Sequence, residues 1–338
     1  MFRKTALFLS ASLISGCFII MNQDKKKDEE INGFKEAIPD ETDLQVRMGQ
    51  SDTGATSGTK DNAPACVDDQ GNRITGPLYQ ATRNAVWDIN SGILNVFMWL
   101  KAIVSSLPPE VETADGYVWG PWTPDLSRIT FRLVMQVVDL DLGKFHFSLQ
   151  GKLKNDTSDE NWLDLIEGDV RKGEDPFHGT GTLNFYFENT HTLDETMPRA
   201  GKAEAVFQTN EYPYTVHVTF TDFSSKNDDT HLLTAEYDYT KEKDLSGEFS
   251  FSAYSDIEGD GQVEDLDVLS RWRNDGTGRS DARVSGGSIV DLGINEVTLS
   301  ECWDDMYYAT HLHSSVAMTD LPDCGDSTTC IYSDTKLP

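Results

Sequence analysis

From Tyr117 to Leu299 apolar and polar residues alternate in segment after segment, and this alternation restricts the chain more than any other feature. Ile129, Phe131, Leu133, Met135 and Val137 share one face of an extended stretch. Phe145, Phe147, Leu149 and Leu153 share a face of the next, with His146, Ser148, Gln150 and Lys152 opposite. The pattern recurs at Leu183-Phe185-Phe187, Tyr214-Val216-Val218-Phe220, Leu233-Ala235-Tyr237-Tyr239, Phe249-Phe251-Ala253, Leu266-Val268 and Val297-Leu299. Period two with one polar face is the signature of antiparallel sheet buried on one side. Turn-forming stretches such as Lys154-Asn155-Asp156, Asp244 to Gly247 and Asn274 to Gly278 separate the segments at hairpin spacing. The expectation is an all-β domain of about ten to twelve strands, too many to stay flat, curled into a barrel or half-barrel.

One long helical pattern precedes the strands, over Pro77–Leu107. Leu78, Ala81, Ala85, Ile89, Ile93, Val96, Leu100, Ile103 and Leu107 fall at steps of three and four, and Val86, Phe97 and Val104 widen the stripe. Pro108-Pro109 end it, because proline offers no N–H and disfavours helix in the residue before it. Asp88, Asn90, Asn95 and Lys101 are too many polar groups for a membrane span, which needs roughly 20 predominantly apolar residues. The helix is expected to sit within or against the curled sheet. Asp88 to Gly92, rich in poor helix formers, is a place where it would kink or split.

The chain begins with a short basic start, Arg3-Lys4, an apolar run over Ala6–Ile14, and Ser15-Gly16-Cys17. That order is a secretory signal. Ile14-Ser15-Gly16-Cys17 resembles the lipobox of bacterial lipoproteins. The resemblance implies cleavage before Cys17, acylation of that cysteine with palmitate-length chains, and a membrane anchor. Phe18 rather than aspartate follows Cys17, so the inner-membrane retention signal known in some bacteria is missing, which points to the outer membrane. Residues 17–76 read as the acylated cysteine and a disordered polar tether. Lys25 to Glu30 is a charge block, and Ser51 to Asn62 has almost nothing apolar to offset ordering entropy. Residues 1–16 are then the signal and 77–338 one β-rich domain. Its architecture, a helix before a long antiparallel meander, resembles the half-barrel carriers of the bacterial lipoprotein-sorting pathway, which implies a concavity holding an acyl chain.

The formal charge is −29, and loss of a signal carrying Arg3 and Lys4 would make it two units more negative. Such a field disfavours nucleic acid and anionic lipid surfaces and favours cations, basic partners or simple solubility. Cys66, Cys302, Cys324 and Cys330 remain after Cys17, an even set that implies two disulfides in an exported chain. Three pairings exist. Cys324–Cys330 with Cys66–Cys302 makes a small loop; Cys302–Cys330 with Cys66–Cys324 pins both chain ends together.

Asp256-Ile257-Glu258-Gly259-Asp260-Gly261-Gln262-Val263-Glu264-Asp265-Leu266-Asp267 resembles the EF-hand calcium loop. The resemblance implies calcium held by Asp256, Glu258 and Asp260, with Glu264 or Asp267 later in the loop. The stretch departs from the pattern in Glu at position three, Asp at position twelve and strand-like flanks. Read only as residues, it is an acidic hairpin turn. Tyr117, Trp119 and Trp122 form an aromatic cluster that would line a ligand mouth or cap the end of the barrel. His311 and His313, with Asp304-Asp305 upstream, are surface residues or metal ligands. Asp52-Thr53-Gly54-Ala55 imitates an aspartic protease signature but lacks the preceding apolar strand and the second copy. No G-x-S-x-G elbow and no Ser/His/Asp set is identifiable. These features predict a non-enzymatic, lipid-anchored envelope protein that binds or scaffolds an unknown protein. The alternatives are a carrier of an apolar ligand and an envelope hydrolase.

Overall fold

The computed structural model describes residues 25–48, 66–106, 108–198, 200–224, 233–255, 261–291, 293–317 and 322–336. Two helices, α1 (Lys25–Ala37) and α2 (Glu41–Leu44), come first, followed by the long α3 (Pro77–Ser106). Then come β1 (Val111–Glu112), β2 (Gly116–Trp122), β3 (Ile129–Asp139), β4 (Lys144–Leu153), β5 (Leu163–Lys172) and β6 (Gly179–Tyr186). A short α4 (Phe187–Leu193) leads to β7 (Ala200–Gln208), β8 (Tyr214–Ser224), β9 (Leu233–Lys241), β10 (Gly247–Ser255), β11 (Glu264–Trp272) and β12 (Gly278–Gly286). After α5 (Gly287–Asp291) the chain ends in β13 (Glu296–Trp303), β14 (Ala309–Ser314) and β15 (Cys324–Gly325).

Among the described residues all fifteen strands belong to one sheet, in sequence order, each antiparallel to the next. The sheet does not close: β1 and β15 are its two edges. Flat, the twelve strands β2 to β13 would span roughly 50 Å at the usual strand spacing. Yet one hydrophobic cluster takes buried side chains from every one of them, Trp119, Leu133, Phe147, Leu183, Phe207, Tyr239, Phe249 and Trp303 included. The same cluster contains Phe34 of α1 and Phe97 and Leu100 of α3, all fully buried. A sheet can bring twelve strands to two helices only by curling around them. The alternation therefore predicts the fold class correctly, with more strands than expected.

α3 is one unbroken helix of 30 residues, with no split at Asp88–Gly92. It crosses the concavity. Thr82 meets Ser270 of β11, Phe97 packs edge-on against Phe207 of β7 with ring centroids 5.3 Å apart, and Trp99 lies 5.7 Å from Trp122 of β2. Its buried stripe runs through Tyr79, Thr82, Val86, Ile89, Phe97, Leu100 and Val104, while Ala81, expected inside, is exposed. The face is rotated because hydroxyls, and not only methyl groups, meet the sheet at the amino end. Among the described residues no helix is long and apolar enough to cross a membrane.

The tether reading of 17–76 fails over residues 25–48. The charge block Lys25 to Glu30 opens α1, and Ile31, Phe34, Ala37 and Ile38 behind it fill one helical stripe that the sheet buries. Glu36 pairs with Lys172, and Asn90 of α3 accepts from Val46 N–H and donates to its carbonyl, both at 3.0 Å. Residues 66–76 are also docked: Cys66 N–H donates to Ala309 O at 2.8 Å, and Ala309 N–H to Ile74 O at 2.8 Å.

The cysteines pair as Cys66–Cys324 and Cys302–Cys330, so the small Cys324–Cys330 loop does not form. Strand pairing decides this. Leu312 of β14 stands opposite Cys324, on the edge where Cys66 docks. Cys302 lies on the outer face of β13 and ties down the tail 326–336, which runs across the outside of β11 to β13. There Arg279 grips Asp281 through Nε and Nη2, at 3.0 and 2.9 Å from its two oxygens, and reaches Tyr332 O and Thr335 Oγ1 at 3.0 Å each. Arg271 donates to Asp334 O at 2.5 Å and lies under the Tyr332 ring. Arg271, Arg279 and Asp281 are buried by this cover.

Candidate functional site

A row of small polar side chains interrupts the apolar inner face beneath the start of α3. Ser270, Ser280 and Glu301 stand opposite one another on β11, β12 and β13. All three, and Thr82 above them, are fully buried. Thr82 Oγ1 lies 2.6 Å from Ser270 Oγ, which bonds to Ser280, and donates to Leu78 O at 2.8 Å. The Glu301 carboxylate accepts the N–H of Leu78 at 2.7 Å and of Tyr79 at 3.0 Å. A helix leaves its first N–H groups without intrahelical partners, and its amino end favours negative charge. Burial nevertheless outweighs these bonds and pushes the Glu301 carboxyl up to about 7. Gly76 makes the approach feasible, since a Cβ there would stand 2.0 Å from Glu301 Oε1. This row seats the helix. Both oxygens of its one carboxylate are already engaged.

The outer face holds a different cluster. Among the described residues, His217, Glu236 and Asp238 are the three His, Cys or acidic side chains whose ligand atoms converge within 4.8 Å. Register makes the cluster: His217 of β8 stands opposite Asp238 of β9, and Thr219 opposite Glu236. His217 Nδ1 lies 2.7 Å from Asp238 Oδ1, while Nε2 lies 3.5 Å from Glu236 Oε1 and 3.1 Å from Thr219 Oγ1. An Nδ1–H bonded to Asp238 leaves Nε2 as a lone pair beside Glu236, the way an outer carboxylate orients a metal-binding histidine. The arrangement thus offers a cation two ligands on an open surface and leaves the rest of its coordination to water.

The residues singled out in the sequence are dispersed. Cys17, Asp52, Asp256, Glu258 and Asp260 lie outside the described residues. Glu264 and Asp267 are three apart on β11 and therefore face opposite sides of the sheet. Glu264 is buried and accepts Ser288 N–H at 3.4 Å; Asp267 bonds to Arg283 and accepts from Ser252 at 2.7 Å. Tyr117 and Trp119 are core residues under α1 and line no mouth: Tyr117 OH donates to Glu30 at 2.6 Å, and Trp119 packs on Phe34. Trp122 packs between Trp99 and Phe131. His311 and His313 share the outer face of β14. Burial holds His311 below the usual histidine value, His313 pairs with Asp323 at 3.4 Å, and Asp304 is taken by Arg73.

Of the hollows among the described residues, one lies at the amino end of α3 and another on the outer face of β4 to β6. The one beside Glu301 and Pro77 holds about 10 Å³, room for no more than about one water. The other, about 250 Å³, is an open surface hollow lined by Lys144, Asp169, Arg171 and Thr180. No protein-family model, curated protein or solved structure matches the chain.

Proposed function

We propose that this chain is an exported lipoprotein, anchored through acylated Cys17 in the outer membrane, that acts by binding or scaffolding at the envelope. One observation carries the reading against the carrier and hydrolase alternatives. The concave face, where a curled sheet would hold a ligand, is occupied by the protein's own Phe34, Phe97 and Leu100. The surface left for partners is the outer face. It is rich in carboxylates such as Glu167, Asp169, Glu204, Glu236 and Asp238, and it suits a basic partner or cations.

Labelling with radioactive palmitate in a bacterial host tests the anchor. Label in the wild type that disappears in Cys17→Ser supports it, and equal label in both removes it. Solvent extraction of the purified protein tests the filled interior. One lipid recovered per chain would establish the carrier instead.

A further inference from the structure

In a meander alternate turns fall at the same end of the sheet. The turns joining β3–β4, β5–β6, β7–β8, β9–β10, β11–β12 and β13–β14 form one rim. Five of these six present a large apolar side chain to solvent: Leu142 (45% exposed), Phe177 (43%), Tyr212 (38%), Leu245 (59%) and Met306 (63%). Phe177 and Leu245 do so from the left-handed backbone region, at φ 64° and 69°. That region favours glycine or asparagine, so neither backbone conformation nor contact with water favours these two side chains there. At the opposite end Leu126 and Val290 are exposed among the described turn residues.

The amino end of the folded chain lies at the same rim. Phe177 N–H donates to Glu36 O at 2.8 Å, and Asp40 N–H donates to Phe177 O at 2.9 Å. Glu30, near the start of α1, takes the Tyr117 hydroxyl, and Tyr117 pairs with Met135 close to the β3–β4 turn. Eight residue steps separate Cys17 from Lys25, a reach of roughly 28 Å at full extension. An anchor at Cys17 therefore holds this rim, and not the opposite end, against the membrane.

We propose that the rim of Leu142, Phe177, Tyr212, Leu245 and Met306 seats in the headgroup–acyl boundary of the bilayer that holds the Cys17 anchor. This rests on the lipoprotein reading above. Aromatic and aliphatic side chains at loop tips suit that zone, where immersion is roughly 5–10 Å. The turns also carry Asp141, Glu174, Asp175, Glu211, Asp244, Asp305 and others, so the lipid is zwitterionic, and anionic headgroups repel the rim. The strands then stand upright on the membrane.

The test uses the mature, acylated full chain on phosphatidylcholine vesicles, with nitroxide labels at Leu245→Cys, Met306→Cys and, at the far end, Leu126→Cys. Collision with oxygen, relative to a water-soluble nickel complex, is expected to be several-fold higher at 245 and 306 than at 126. Doping the vesicles with phosphatidylglycerol reduces the difference. An acylated, vesicle-bound chain with all three labels equally open to the nickel complex overturns the rim and leaves the anchor standing. A chain whose amino-terminal peptide carries no acyl mass and does not float with vesicles overturns both.

Discussion

Glu301 caps the helix that begins at Pro77 by accepting the backbone N–H of Tyr79, across a separation of 222 residues. The contact joins the first turn of α3 to one of the last strands, and it does so with a buried acid.

This acid makes stability depend on pH. Its carboxyl is raised in the fold from 4.5 to about 7. The protonated form is therefore favoured by folding, and the stabilisation is complete below pH 4.5 and lost as pH rises through about 7. The difference is on the order of 3 kcal/mol across that window. Melting temperature should fall between pH 5 and pH 8 in the wild type. In Glu301→Gln it should be lower at pH 5 but nearly flat, because no proton is released; a slope as steep as the wild type's would contradict the assignment.

Phe34→Ala distinguishes a folded amino-terminal segment from a spacer. Removing a fully buried phenylalanine from a shared core costs about 3–5 kcal/mol, whereas the same change in a tether costs nothing. Urea denaturation of the two proteins reads the difference directly.

On the outer face, Asp281→Asn leaves Arg279 buried without its carboxylate, a loss of about 3–5 kcal/mol, while Arg271 keeps Asp334. Replacing Cys302 and Cys330 together by serine frees the tail instead. Arg271 and Arg279 should then become reactive to phenylglyoxal while the inner core keeps its hydrogen-exchange protection.

Calcium is expected to have no bearing on Glu264. Glu264→Gln removes a buried acceptor and should cost about 1–3 kcal/mol, by the same amount in millimolar calcium as in chelator. A loss of stability seen only with calcium would instead make Glu264 a ligand of a calcium loop.

The alternation was legible wherever the inner residues are large. It located β3, β4, β8 and β10 well. It missed β7 and β12, where the small inner residues Ala203, Ala205, Ser280 and Ala282 outnumber large ones such as Phe207. It missed β5 because a register shift opposite Leu149 and Gln150 breaks the period. The stripe Ile31-Phe34-Ile38 was present in the sequence but masked by the lysines and acids beside it, which face solvent. Glu301 left one trace, an acid in the apolar phase between Leu299 and Trp303. Its partner, a helix amino end 222 residues away, leaves no local signature.

The order of the chain has a consequence for how it can be completed. α1 and α3 are made before the sheet, and the seat of the amino end of α3 is made last: Thr82 waits for Ser270 and Leu78 for Glu301. Phe34 can pack on Trp119, Phe145 and Phe147, and Phe97 on Phe207, before the final hairpins exist, but the amino end of α3 stays open until they do. A chain stopped before β13 would leave Leu78 and Tyr79 without Glu301 and Trp303. The last fifty residues thus act as the closing latch for a core begun at residue 31.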